Sequence, residues 1–219
     1  MEAVIFDFDG VILETSEQLF EGYKYVFSKF NIDYSEDEFN SNYGKKTKEH
    51  IKDVLKGRNI SLSNEELDKL VSQRDDFYRK LCSNHLELLS GVRKLLDELK
   101  ENKITMGLAS STHRKNIDFF LKKLDLAKYF KSTLGGNEIT RGKPNPEIYL
   151  TICRNLNVNP ENCVGIEDTN KGIFALKNAN MKSIAVTLTN KVEYDFSGAD
   201  LIINNLEELS LLKITKLFS

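Results

Sequence analysis

The first strong pattern in the sequence is a short apolar run that ends in two carboxylates and a glycine. Residues 4–6 have no polar face, which is typical of a strand covered by helices on both sides. Asp7, Asp9 and Gly10 follow at once. Ligands of open parallel sheets lie beyond the carboxyl ends of the strands, so Asp7 and Asp9 are candidate site residues. An ordinary Asp-Gly turn after a strand is the alternative.

Between residues 15 and 85 the apolar positions recur at helical spacing, and no buried strand is predicted. Ser63 and Glu66 have the spacing of a capping box at the start of one helix. Residues 40–44 are polar and indicate a connection. We interpret this stretch as a separate helical lobe inserted after the first strand. The predicted helices cover residues 19–30, 51–55 and 67–81.

From residue 91 onward, helical and strand patterns alternate, and this alternation implies a parallel sheet wrapped by helices. Asn145 followed by Pro146 is a good helix start. The connections near residues 12–16 and 86–91 are the natural hinge between lobe and core. The predicted strands cover residues 104–109, 132–134, 164–166, 183–186 and 201–203, and the helices cover residues 92–99, 117–124, 148–156 and 172–178.

Composition adds only broad limits. The net charge of -2 gives no strong field for a nucleic acid or membrane partner, and no apolar stretch approaches the ~20 residues that cross a bilayer. Three cysteines without a close pair, and a strand that begins near Met1, favour a reduced, cytoplasmic protein without a signal peptide. Cys82 and His85 alone make a poor zinc site, so packing and surface roles are expected for them.

Polar side chains that suit phosphoryl transfer follow the predicted strands. Carboxylates bind Mg²⁺, and an ammonium and a hydroxyl hold phosphoryl oxygens. An aspartate can serve as nucleophile through an acyl-phosphate, while a second one moves the proton of the leaving group. No Walker loop or dinucleotide fingerprint is present. The residues concerned are Asp7, Asp9, Ser110, Lys143, Glu167 and Asp168.

Four segments, in this order and spacing, resemble the motifs of the haloacid dehalogenase-like hydrolase superfamily. The helical insertion is similar to the cap of the subgroup that contains phosphoglycolate phosphatases and beta-phosphoglucomutases. The resemblance implies a Rossmann-like α/β core of residues 1–14 and 86–219, with an α-helical cap of residues 15–85. The segments are Asp7-Phe8-Asp9-Gly10-Val11, Ser110, Gly142-Lys143-Pro144 and Gly165-Ile166-Glu167-Asp168-Thr169.

The resemblance also implies a role for each site residue. Asp7 would be the nucleophile, and Asp9 the general acid and base. Mg²⁺ would be bound by Asp7, Asp168 and the backbone carbonyl of Asp9. Glu167 would assist the metal through water or orient Lys143. The phosphoryl group would be held by Ser110, Ser111, Lys143 and Gly10, and Lys46 of the cap, or its neighbour Lys45, could contact a second anionic group.

The expected activity is Mg²⁺-dependent hydrolysis of a small phosphorylated metabolite by a monomer. A phosphomutase is the alternative, although Leu19 lies near the place where beta-phosphoglucomutases carry a cap histidine. A binding protein without catalysis on the same scaffold is a further alternative. Asn180 stands where the family usually has glycine.

Overall fold

The computed structural model describes residues 1–83, 86–187 and 194–219. The chain divides into two compact units, one of Met1–Glu14 with Glu87–Ser219 and one of Thr15–Leu86. The first unit contains strands β1 (Ala3–Phe6), β2 (Thr105–Ser110), β3 (Ser132–Gly135), β4 (Cys163–Glu167), β5 (Lys182–Val186) and β6 (Leu201–Ile203), with helices α5 (Val92–Glu101), α6 (Arg114–Lys123), α7 (Glu147–Leu156), α8 (Asn170–Asn178) and α9 (Leu211–Thr215). The second contains α1 (Ser16–Phe27), α2 (Glu36–Asn42), α3 (Thr47–Gly57) and α4 (Asn64–Cys82).

The six strands form one parallel sheet in the order β3-β2-β1-β4-β5-β6, so the predicted α/β fold class is confirmed. β1 lies inside the sheet and is buried along its whole length, as its apolar run predicted. In the register, Phe6 pairs with Leu108 on one side and with Ile166 on the other. The chain therefore leaves β1, β2 and β4 at the same edge.

Two short helices are absent from the prediction. α2 covers part of the segment interpreted as a polar connection, and α9 lies in the C-terminal segment, for which no helix was predicted. Each buries a single side chain, Phe39 in α2 and Ile214 in α9, so neither produces an apolar period. The usable signal for α2 was its capping box, in which Ser35 Oγ accepts from the Glu38 amide. The capping box of Ser63 and Glu66 is confirmed at the start of α4.

The helical unit packs around an aromatic and polar core. The ring of His50 stacks on Tyr23 at 3.8 Å, and its Nε2 lies 2.5 Å from the Tyr34 hydroxyl. Arg74 is fully buried, lies over the Tyr23 ring at 4.5 Å and pairs with Asp75 at 3.1 Å. His50, a residue without a visible partner in the sequence, is therefore a core residue.

The three cysteines are buried and form no disulfide with one another. Cys82 packs at the end of α4, while the His85 considered beside it for zinc lies outside the described residues. Within residues 1–83, 86–187 and 194–219, no helix is both long and apolar enough to span a membrane. Asn180 adopts a left-handed conformation with φ 58°, which asparagine tolerates and which explains a glycine preference at this position.

Candidate active site

The carboxyl edge of the sheet brings the predicted acidic residues together. Asp7 follows β1, Glu167 ends β4 and Asp168 follows it. Each of these three residues offers a carboxylate oxygen within 4.8 Å of the other two, and all three are buried. Lys143 enters from the segment between β3 and α7 and is 5% exposed. Residues distant in the sequence thus form one buried charged cluster.

Lys143 lies between two of the carboxylates. Its Nζ is 3.0 Å from Asp7 Oδ2 and 2.5 Å from Glu167 Oε1. Burial lowers the pKa of Lys143, but the charges of Asp7 and Glu167 outweigh that effect and hold the pKa above its usual value. The side chain is therefore a fixed ammonium ion at the edge of the sheet.

Glu167 has hydrogen-bond donors on both oxygens and is fully buried. Oε1 accepts from the Tyr149 hydroxyl as well as from Lys143. Oε2 accepts from the Asp168 amide at 3.2 Å and from Thr169 Oγ1 at 3.3 Å. A β-carbon on Gly172 would lie 1.9 Å from the Glu167 carboxyl carbon, so only glycine leaves room for this carboxylate.

The ionised forms of the other two carboxyl groups, those of Asp7 and Asp168, are disfavoured in this buried cluster. Burial, followed by the charge of Glu167, raises the pKa of Asp7 to about 8, although Lys143 opposes the shift. Burial and the charges of Glu167 and Asp7 raise the pKa of Asp168 well above its usual value. Oδ1 of Asp168 is buried and has no hydrogen-bond partner among the residues that the structure describes. A hard divalent cation such as Mg²⁺ fits this donor set, because it would satisfy the orphaned oxygen and balance the charge.

Gly10 is required by the close approach of Asp168. Its φ is +78°, and a β-carbon at this position would lie 1.9 Å from Asp168 Oδ2. The structure places Gly10 against a candidate metal ligand, whereas the sequence suggested only contact with the phosphoryl group. The Asp-Gly turn is therefore part of the site's geometry.

The Asp9 side chain turns toward the end of β2. Its Oδ2 accepts from Thr112 Oγ1 at 2.6 Å and lies 3.5 Å from Ser110 Oγ, a long hydrogen bond. Ser110 Oγ in turn accepts from the Thr112 amide at 3.0 Å. Ser111 is half-buried between these two residues. The carboxyl group of Asp9 is thus held beside two hydroxyl groups.

Two contacts were missed from the sequence. One is the hydrogen bond from Thr112 to Asp9. Thr112 follows Ser110 by two positions, and in an extended chain this spacing places both side chains on one face, which is the signal that could have revealed the contact. Tyr149 lies in the predicted helix of residues 148–156, and the only signal for its contact is the general need of a buried phenol for a hydrogen-bond partner. Lys46, predicted as a substrate contact, lies in the other compact unit, where its Nζ is 3.6 Å from Glu49 Oε1.

The chain is similar in sequence and in fold to known proteins. A family model described as haloacid dehalogenase-like hydrolase matches residues 4–186. A phosphorylated carbohydrates phosphatase of Thermotoga maritima is 36% identical over 184 residues, which are 84% of each chain. A beta-phosphoglucomutase of Bacillus subtilis is 33% identical and covers 96% of this chain and 92% of its own. The crystal structure of a beta-phosphoglucomutase from Clostridium difficile matches with a TM-score of 0.89 at 32% identity, over 100% of this chain and 97% of that one.

Proposed function

The chain belongs to the haloacid dehalogenase-like hydrolases, and from this premise we propose that it is a Mg²⁺-dependent phosphatase that forms a phosphoaspartyl intermediate on Asp7. Its class, a phosphoric monoester hydrolase, follows from its relatives. The observation that carries the proposal is the Lys143 ammonium, 3.0 Å from Asp7 Oδ2, in one cluster with Oδ1 of Asp168, to which no described residue donates a hydrogen bond. A phosphoryl group needs such balanced positive charge beside its nucleophile.

In the first half of the reaction, a carboxylate oxygen of Asp7 attacks the phosphorus of the ester. The bond from phosphorus to the leaving oxygen breaks as the new bond forms. Asp9 gives its proton to the leaving oxygen, so an alcohol departs and a phosphoaspartate remains. Lys143 and Ser110 hold the phosphoryl oxygens during the transfer.

In the second half, Asp9 takes a proton from a water molecule whose oxygen attacks the phosphorus. The bond between phosphorus and the Asp7 oxygen breaks, and inorganic phosphate leaves. The hydrogen bond from Thr112 Oγ1 holds the Asp9 carboxyl group in one orientation for both proton transfers. Asp7 and Asp9 therefore have separate tasks, attack and proton transfer.

Asp7, Asp168 and the backbone carbonyl of Asp9 are the proposed Mg²⁺ ligands. When bound, Mg²⁺ supplies positive charge that favours the ionised form of Asp7 and neutralises phosphoryl oxygens. Gly10 serves this arrangement by leaving space for the Asp168 carboxylate. The donor set is all oxygen, as a hard cation requires.

The proposed substrate is a small phosphorylated metabolite, in keeping with a relative named for phosphorylated carbohydrates. Under this proposal the unit of Thr15–Leu86 is the cap domain, and its residues, with Lys46 among them, set substrate preference. Buried cysteines that form no disulfide fit a cytoplasmic location.

A phosphomutase is the second candidate, because the match to beta-phosphoglucomutases covers nearly the whole chain. In that reaction the phosphoryl group returns from Asp7 to a sugar phosphate instead of passing to water. Leu19, near the position where mutases carry a cap histidine, favours the phosphatase. Interconversion of sugar phosphate isomers without release of inorganic phosphate would decide for the mutase.

The test compares Asp7→Asn with the wild type and with Asp118→Asn, a control in the same unit whose carboxylate pairs with Arg114 near the surface. Inorganic phosphate release is measured on a panel of monoesters with and without Mg²⁺. We expect Asp7→Asn to abolish release and Asp118→Asn to retain it. Mg²⁺-dependent release by Asp7→Asn would contradict the covalent mechanism.

A further inference from the structure

The carboxylate of Glu167 uses its hydrogen-bonding capacity fully. Such a group has about four lone-pair sites, two on each oxygen. Tyr149 and Lys143 contact Oε1, while the amide of Asp168 and the hydroxyl of Thr169 contact Oε2. A metal ion could bind Glu167 only by displacing one of these donors, whereas within residues 1–83, 86–187 and 194–219 no donor contacts Oδ1 of Asp168.

The phenol of Tyr149 is the least expected of these donors. Tyr149 lies on α7, is 0% exposed and packs its ring 5.3 Å from the Lys143 Nζ. Burial and the charge of Glu167 hold its pKa above the usual value, so the hydroxyl keeps its proton. The buried phenol therefore acts here as a hydrogen-bond donor to the Glu167 carboxyl group.

Tyr149 and Lys143 donate to the same oxygen of Glu167, Oε1, so the position of this oxygen also sets the position of the Lys143 ammonium. Lys143 must point at once to Glu167 and to Asp7, with contacts of 2.5 and 3.0 Å. A carboxylate held by only three donors could rotate and draw the ammonium with it. The fourth donor, Tyr149, removes that freedom.

We propose that Tyr149 is a positioning residue, which fixes Glu167 as the anchor of Lys143 and so aims the ammonium at Asp7 and the phosphoryl group. The inference rests on the proposed function, and it assigns Glu167 to Lys143 and not to the metal. Removal of the phenol should therefore weaken the hold on the phosphoryl group and leave Mg²⁺ binding intact.

The test variant is Tyr149→Phe, which removes one oxygen atom and keeps the buried ring. Tyr129→Phe is the matched control, because the Tyr129 phenol also donates to a carboxylate, that of Asp97, and belongs to the same unit. We expect kcat of Tyr149→Phe to fall by about tenfold, the scale of one hydrogen bond to a charged group. The factor should be equal for esters with different leaving groups, because Lys143 holds the phosphoryl group common to all.

Two binding measurements by calorimetry separate positioning from general damage. The dissociation constant of Mg²⁺ should stay within about twofold of the wild type, while that of inorganic phosphate, measured with Mg²⁺ present, should rise by about tenfold. Tyr129→Phe should leave kcat and both constants unchanged. Wild-type kcat in Tyr149→Phe, a loss that differs between esters, or weakened Mg²⁺ binding would each overturn the proposal.

The phosphate measurement also separates this proposal from the proposed function. A wild type that releases no phosphate from any ester refutes the phosphatase, but its affinity for inorganic phosphate still tests Tyr149. If Tyr149→Phe does not fold, Glu167→Gln examines the same contacts, since it keeps the shape and removes the charge that anchors Lys143. Retained Mg²⁺ binding with weakened phosphate binding in Glu167→Gln supports the proposal, and lost Mg²⁺ binding overturns it.

Discussion

Replacement of Gly10 by alanine should disable the site while most of the folding free energy is retained. The new β-carbon would lie 1.9 Å from Oδ2 and 2.4 Å from the carboxyl carbon of Asp168. Carbon atoms in van der Waals contact are about 3.5 to 4.0 Å from their neighbours, so the carboxylate must retreat by roughly 1.5 Å. Asp168 would then leave the position it shares with Asp7.

The magnitudes separate activity from stability. A misplacement of about 1 Å in a catalytic arrangement can reduce the rate about 100-fold, and metal sites tolerate only about 0.2 Å in their distances. The left-handed conformation of Gly10, φ +78°, adds a strain of roughly 1 to 2 kcal/mol for alanine.

The assay pairs Gly10→Ala with Gly91→Ala. Gly91 also has a left-handed φ, +84°, and a β-carbon there would lie 2.2 Å from the Glu207 backbone nitrogen; its three nearest atoms belong to Leu206 and Glu207, not to site residues. We expect Gly91→Ala to lower the urea midpoint more and to keep Mg²⁺ affinity. Gly10→Ala should weaken Mg²⁺ binding in calorimetry and reduce phosphate release about 100-fold. Unchanged Mg²⁺ affinity in Gly10→Ala would refute the role of the close approach.

Three further outcomes follow from buried polar contacts. Thr112→Val removes the hydroxyl that donates to Asp9 and should lower kcat several-fold and change its pH profile. Thr112→Ser keeps a hydroxyl and should restore both the wild-type kcat and the wild-type pH profile. Equal pH profiles of kcat in Thr112→Val and the wild type would refute the role of this contact. The pKa of Asp7 in the folded protein, about 8, exceeds its ordinary 3.8, so the wild type loses the stabilisation from this proton as pH rises. In metal-free protein, the gain in unfolding free energy from Asp7→Asn should therefore grow by up to about 1.4 kcal/mol per pH unit between pH 4 and 8 and then level off. A gain that urea titrations show to be constant with pH would contradict this. Arg74→Met leaves the buried charge of Asp75 unpaired and should cost about 3 to 5 kcal/mol in urea unfolding, and Arg74→Met with Asp75→Leu should recover part of it.

Much of the core followed from local patterns. The apolar run at residues 4–6 predicted an interior strand, because a strand covered on both faces carries apolar residues on both. In the structure this strand is completely buried. The capping box at Ser63 located the start of α4, since its bonds join residues three positions apart. Short elements with one buried residue, such as α2, gave no period to detect.

The sequence by itself determined the fold class and the acidic and basic residues at the strand ends, because strand ends and residue types are local properties. Only the tertiary structure decided how those residues divide their tasks. Lys143 contacts Glu167, which is 24 positions away in the sequence. Tyr149 donates to the same carboxylate from α7, a helix whose apolar pattern predicted only packing. Gly10 and Asp168 touch only because β1 and β4 are neighbours in the sheet. Contacts across strands depend on register and packing, which no local pattern contains.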